Sequence, residues 1–466
     1  MKKSKFTVLS LITLSVAGLA ACGNPITSNV NEHAIFWCTM GQDKRQALDA
    51  CAEAFNQEYE GKYHIEILYQ GGNYQDLASK ISQAIPAGTN PTMAWGYPDS
   101  FAAFLGENGV NGSLLNLDQF INDPELGFSE KDGYHEEDGV KKSGKDDYVS
   151  AYYDEGVHYQ IEGTYSLPFY KSTEVLYYNA DYFNGVSSPN HKKYTVPTTW
   201  NEAIELSKQM IKDRAEAGWD NSDFSPLAYD SDANLFISQC IQRGISYTKI
   251  PTNSEDNPFL FNNSEAVALV DEISNLIKTG ILKTKGVLPN SAYTSTLFTD
   301  EKCVMTIGST GGSDYNVSSN FDVQVAPAPY STNKKYVMQG PSVCIFSNDK
   351  AENQKSAWMF YKYLSSTKWN TLISLQNSYD PVRISCYETD QYAEHIAAAK
   401  EENADIKEKV SAVTADLKNN YFTTPVFVGS DVARDQVGNL FSYTCIENYS
   451  AKEALQKAFD NCIIGS

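Results

Sequence analysis

Two stretches of this chain alternate short apolar runs with helical apolar spacing, and that alternation restricts the fold more than any other feature. Ala34 to Cys38 reads as a strand, and Leu48, Cys51, Phe55 and Tyr59 then recur at helical spacing. His64 to Tyr69 is a second strand, broken by Gly71-Gly72. Leu77, Ile81 and Ile85 mark a second helix, and Thr92 to Trp95 a third short strand. A second series begins further on. Ser166 to Phe169 and Glu174 to Tyr178 read as strands. Thr199-Trp200-Asn201-Glu202 is a capping box placed just after Pro197. Asn263 to Thr279 is a helix with Val267, Leu269, Val270, Ile273, Leu276 and Ile277 on its buried side and Gly280 at its end. Cys303 to Ile307 and Phe321 to Val325 are strands; Trp358 to Leu364, Trp369 to Leu375 and most of Ala433 to Phe459 are helical.

Strands separated by helices make βα units and mainly parallel sheets. Two such series predict an α/β fold of two lobes, each a mostly parallel sheet flanked by helices, with a cleft between them. Residues 34–162 and 342–388 are assigned to lobe 1, and residues 163–341 and 389–466 to lobe 2. Hinges are expected near 162–164, 340–342 and 385–390. Ligands in such folds sit beyond the carboxyl ends of strands, near helix N-termini. Residues 127–160 break the rhythm with runs such as Glu136-Glu137-Asp138-Gly139 and read as a solvated loop or small insertion; the acids fit no EF-hand spacing.

The chain opens with Lys2, Lys3 and Lys5, then an apolar run to Leu19, then Ala20-Ala21-Cys22. This is a secretory leader, too short and polar to span a bilayer, with small residues at its cleavage site. The cysteine behind them resembles the lipobox of bacterial lipoproteins. Residues 1–21 are then a signal peptide, Cys22 the lipid-bearing N-terminus (a palmitate-type anchor), and residues 22–33 a polar tether. The expected location is the outer face of the cell membrane, held by that lipid alone.

Net charge is −21, and the leader holds three lysines and no acid, which leaves −24 for the remainder. Such a surface disfavours nucleic acid and anionic lipid as partners. Thirty tyrosines and six tryptophans suit stacking on sugar rings, with Trp37, Trp95, Trp200 and Trp219 as candidate platforms; Trp200 falls on the apolar face of its helix and belongs to the core. Eight cysteines besides Cys22 form no C-x-x-C pair and read as buried thiols, with room for one or two disulfides. There is no G-x-S-x-G, no H-E-x-x-H and no P-loop, and the six histidines show no ligand spacing, so neither catalysis nor a metal or cofactor is expected. A glycan hydrolase or an adhesin stays open as a reading of another class, since a lipidated acidic body permits either.

Several local patterns then line up: Asn73-Tyr74-Gln75-Asp76-Leu77 after a strand; Leu167-Pro168-Phe169-Tyr170-Lys171-Ser172-Thr173-Glu174; Val196-Pro197-Thr198-Thr199-Trp200-Asn201-Glu202; Met305-Thr306-Ile307-Gly308-Ser309; and Val325-Ala326-Pro327-Ala328-Pro329. Their order resembles the family 1 extracellular solute-binding proteins of bacterial ABC importers, over nearly all of residues 34–466. The resemblance implies a monomeric capture protein for a small carbohydrate, working with permease subunits. It is nearest to members that bind glycerol-3-phosphate or oligosaccharides. On that resemblance Tyr74, Ser172, Ser309, Gly340 and Tyr379 are expected at the ligand. Two positions depart from it. Tyr97 stands where the family has an acid, and the phosphate-binding arginine has no secure counterpart, Arg434 being the nearest. An arginine fork binds phosphate bidentately. Its loss, with an aromatic at 97, shifts the expected ligand to a neutral sugar, with glycerol-3-phosphate or a glycerophosphodiester as the alternative.

Overall fold

The structure, a computed structural model, describes residues 33–106, 112–253, 255–401 and 403–465. The leader and Cys22 lie outside the described residues. The strands are β1 (Ala34–Cys38), β2 (Ile65–Tyr69), β3 (Met93–Gly96), β4 (Tyr134–Glu137), β5 (Val140–Ser143), β6 (Leu167–Pro168), β7 (Glu174–Asn179), β8 (Leu227–Tyr229), β9 (Leu282–Thr284), β10 (Met305–Ser309), β11 (Val323–Pro327), β12 (Tyr336–Val337), β13 (Ser342–Ile345) and β14 (Tyr421–Phe422).

Two five-stranded sheets form two lobes, in the orders β2-β1-β3-β13-β6 and β11-β7-β10-β8-β9. In each sheet four strands run one way and one is reversed. The reversed strand is β13 in the first, antiparallel to both neighbours, and β7 in the second. Each is the first strand laid down after the chain crosses between lobes. Neighbours such as β1 and β2 are parallel because helix Gln46–Glu58 returns the chain to the same edge. That helix buries Leu48, Cys51 and Phe55, the face its spacing predicts. The Thr199–Glu202 box forms as read: the Thr199 hydroxyl accepts from the Glu202 N–H at 3.2 Å, and the Glu202 carboxylate accepts from the Thr199 N–H at 3.1 Å. A second box, Asn73 with Asp76, starts helix Tyr74–Ala87.

Each lobe has its own core, one around Phe36, Phe55, Trp95 and Trp358, the other around Trp200, Leu235, Phe236 and Phe441. The first passage between lobes lies later than expected. Leu167–Pro168 still pairs with β13, and Leu167, Phe169 and Tyr170 pack in the first core, so the chain leaves that lobe at 171–173 rather than 162–164. Which sheet a two-residue strand joins is decided by a partner far away in sequence. The passages are laced together: Ser172 and Gln339 exchange backbone hydrogen bonds of 2.9 and 2.8 Å, and the Lys171 N–H donates to Asp380 O at 3.0 Å. A third passage runs through helix Asp390–Ala398, which packs between helices Thr367–Gln376 and Ile406–Thr414, the latter against β11.

Residues 127–160 are more than a solvated loop. They fold into the β4–β5 hairpin and helix Ser150–Asp154, and they bury Asp147, Tyr148, Tyr152 and Glu155. The Asp147 carboxylate accepts from the Ser385 N–H and hydroxyl at 3.1 and 2.8 Å and faces Arg383 at 3.3 Å, with both charged side chains fully covered. Acids that read as exposed in isolation are buried because their cations arrive from distant segments. The eight cysteines Cys38 to Cys462 are all free thiols, seven of them buried. Among the described residues no helix is long and apolar enough to cross a membrane.

Candidate functional site

The carboxyl ends of the parallel strands of both lobes face one cleft. On the first lobe β3 ends at Gly96, so Tyr97 caps helix Pro98–Leu105, while the chain beyond β2 places Tyr74 at the first turn of helix Tyr74–Ala87. On the second lobe β8 leads to Ser231, whose hydroxyl accepts from the Asn234 N–H at 3.2 Å and caps helix Asp232–Arg243. A cavity of about 360 Å³ lies between these ends. Tyr74, Tyr97, Asp99 and Glu155 line it from the first lobe, Ser231, Lys285 and Arg434 from the second, and Gln339 from the passage between them. A recess of about 180 Å³ adjoins it and shares Tyr97, Asp99 and Arg434. A groove of about 1310 Å³ lies outside the cleft, where the β4–β5 hairpin meets helices of the first lobe.

The first wall is aromatic. Tyr74 lies 4.7 Å from Tyr97 and 5.8 Å from Trp95, centroid to centroid, and Trp95 lies 6.0 Å from Tyr170. Burial pushes the Tyr74 and Tyr97 hydroxyls well up, so both stay protonated donors at neutral pH. The second wall is polar. Arg434 Nη1 donates to Asn234 Oδ1 at 2.5 Å, and Arg434 Nε faces Asp99 Oδ2 across the cleft at 3.6 Å. The Ser430 hydroxyl donates to the other Asp99 oxygen at 2.9 Å, so one acid of the first lobe is held by two groups of the second. At the seam, Lys171 is fully buried; its ammonium donates to Glu155, to Gly340 O at 3.2 Å and to Ser342 Oγ at 3.0 Å. Burial raises the Glu155 carboxyl, and the Lys171 charge opposes that rise.

Of the residues expected at the ligand, Tyr74, Tyr97 and Arg434 line this cavity. The other four lie outside its lining. Ser172 is buried in the hinge ladder with Gln339. Ser309 ends β10, where its carbonyl accepts from the Tyr177 hydroxyl at 3.0 Å. Gly340 has φ +100°, and a Cβ there would lie 2.6 Å from Tyr170 O, so the position needs glycine for backbone reasons. Tyr379 packs on Tyr170 with ring centroids 3.9 Å apart and planes tilted by 31°. Of the tryptophans, Trp95 and Trp200 are buried in the cores, Trp37 is half-buried on β1 and Trp219 packs on Arg214 at 5.0 Å. Arg434 pairs with Asp99 rather than with its helix neighbours Asp431 and Asp435. Asp99, Glu155, Ser231 and Lys285 also line the cavity, and Asn234 braces Arg434 from behind it, though none of the five is among the residues expected at the ligand. Ser231 before Asp232 carried an N-cap signal; the others depend on distant partners.

The family described as bacterial extracellular solute-binding protein matches residues 50–400. The sn-glycerol-3-phosphate-binding periplasmic protein UgpB of Brucella abortus strain 2308 is 23% identical over 364 residues, covering 76% of this chain and 75% of that protein. UgpB from Mycobacterium tuberculosis, solved in complex with glycerophosphocholine, superposes with a TM-score of 0.70 at 15% identity, covering 93% of this chain and 98% of the other. The GacH receptor of Streptomyces glaucescens, solved unliganded and with acarbose, superposes at 0.67 and 17% identity, covering 92% and 96%. A two-lobed α/β frame, a cleft at the strand ends and a family match over most of the length agree: this chain belongs to the bacterial extracellular solute-binding proteins.

Proposed function

We propose that this protein captures a neutral carbohydrate between its lobes and delivers it to the permease of an ABC importer. The observation that carries this reading is the pairing of a tyrosine wall with a polar wall whose arginine is already engaged. Tyr74 and Tyr97 offer ring faces and hydroxyl donors for a sugar. Arg434 is tied to Asn234 and Asp99, and three carboxylates, Asp99, Glu155 and Asp435, share the cavity with it, which disfavours a phosphate dianion. A second reading, a glycerol phosphate or glycerophosphodiester, is supported by Lys285 joining Arg434 in the same lining and by what the UgpB relatives bind.

The protein works by binding alone. The lobes rock about the Ser172–Gln339 ladder, with the first crossing at residues 171–173. A ligand that touches both walls shifts the population to the closed form. Lipid on Cys22 holds the monomer at the outer face of the membrane, where tethering raises its effective concentration near the permease. Affinity in the micromolar range, about −8 kcal/mol, is expected.

Titration calorimetry of the mature protein against maltotriose, acarbose, sn-glycerol-3-phosphate and glycerophosphocholine tests this. Saturable binding of a neutral sugar supports it. Tight binding of a glycerol phosphate that is lost in Arg434→Ala establishes the second reading. Release of reducing ends from a glycan would make the protein a hydrolase. Replacing Cys22→Ser in cells should release the protein into the medium; retention on the membrane would contradict the anchor.

A further inference from the structure

Glu174 is the first residue of β7, where the chain enters the second lobe, and it is only 3% exposed. Its oxygens are occupied by neutral donors: the Tyr229 hydroxyl on Oε2, and Asn234 Nδ2 on Oε1 at 2.8 Å. Burial pushes its carboxyl up to about 7; Asp230 adds to the rise, and the Tyr229 and Asn234 hydrogen bonds and the Arg434 charge oppose it. Asn234 is itself buried, and its Oδ1 accepts from Arg434 Nη1. Arg434 in turn faces Asp99 of the first lobe, with Tyr97 and Tyr247 also beside it. A single polar chain therefore runs from the crossing strand through Glu174, Asn234 and Arg434 to Asp99 on the opposite wall.

The direction of this chain is set by its ends. A side-chain amide has one donating and one accepting end, an ionised carboxylate only accepts, and a guanidinium only donates. With Glu174 ionised, Asn234 must give it the NH2 group and turn its oxygen to Arg434, as observed. A proton taken from solvent onto Glu174 Oε1, the oxygen facing Asn234, makes that carboxyl oxygen a donor. It then competes with Arg434 for the Asn234 oxygen, and an amide turned to meet it would present NH2 to the guanidinium.

We propose that Glu174, acting through Asn234, is a positioning residue that aims the Arg434 guanidinium at the ligand and at Asp99, so that protonation of Glu174 weakens capture. This rests on the reading of the cleft as the ligand site. Where capture needs the ionised form, apparent affinity falls by the fraction ionised, about tenfold one pH unit below the midpoint.

Two measurements on the mature protein test it. The first is calorimetry with maltotriose, acarbose and sn-glycerol-3-phosphate at about pH 8 and pH 6. The wild type should bind about tenfold more weakly at the lower pH. Glu174→Gln, which stands in for the protonated acid, should bind at the weaker level at both. The second needs no ligand: the Arg434 side-chain NMR signal, assigned with Arg434→Lys, followed from about pH 8 to pH 5. It should titrate near neutrality in the wild type and stay flat in Glu174→Gln and in Asn234→Ala. A flat wild-type signal, or an undiminished pH dependence in Glu174→Gln, overturns the relay. If the signal titrates while none of the three probes binds at either pH, the ligand reading of the cleft falls and the internal relay stands.

Discussion

The two walls of the cleft are built from opposite materials. The first lobe presents Tyr74 and Tyr97 over Trp95, Tyr170 and Tyr379, rings that pack on one another and on the core. The second presents Ser231, Asn234, Arg434 and the buried Glu174, a set of directional donors and acceptors. Ring packing tolerates small displacements, whereas a hydrogen-bonded chain fails when one member turns. In the proposed reading the aromatic wall supplies area for a ligand and the polar wall supplies orientation. The two are joined at the Lys171–Glu155 seam, at Asp99, which meets Arg434 and Ser430, and at the Lys44–Asp314 contact.

Breaking the seam should cost most. Lys171→Met leaves Glu155 buried without its cation and should destabilise the fold by about 3–5 kcal/mol in denaturant titration. A loss below about 1 kcal/mol would mean that the walls are held together elsewhere. Next is the polar wall. Glu174 sits near 7 in the folded protein against an ordinary value of 4.5. The folded state thus binds the proton more tightly, and this group's contribution to stability falls as pH rises from about 4.5 to 7. Glu174→Gln should therefore be more stable than the wild type at about pH 8, by up to ~3 kcal/mol, with the gain fading toward about pH 4.5. No gain at alkaline pH would show that the carboxylate is better solvated than its burial implies. On the aromatic wall, Tyr97→Ala should weaken sugar binding about tenfold, roughly 1.4 kcal/mol, while Tyr97→Phe keeps most of the ring contribution. The smallest effect belongs to the rim. Asp314→Asn removes the Lys44 contact at 3.4 Å between partly exposed groups and should cost under about 1 kcal/mol, less still at high salt.

The same contrast separates what the sequence displays from what it hides. Tyr74 and Tyr97 are legible through the family resemblance, whose matching segments lie at strand-to-helix turns. The two α/β lobes are legible from local spacing such as Leu48, Cys51 and Phe55. The polar wall and the seam join residues from separate segments: Glu174 with Asn234 and Arg434, Glu155 with Lys171 and Ser342. No local pattern announces such partners. The reversed strands β7 and β13 and the later exit at 171–173 were hidden likewise, since strand direction and sheet membership are fixed by pairing across the molecule. Ser172 and Ser309 lie in the expected segments, but neither is in the lining of the cavity.

The central claim is that one ligand is held by both walls at once. Its most direct test is the affinity of maltotriose for the wild type, Tyr97→Ala and Arg434→Ala, measured side by side by calorimetry. Micromolar binding to the wild type and a loss of about tenfold in each variant are expected. Unchanged affinity in either folded variant would contradict the claim, because the ligand would then be resting on one wall alone.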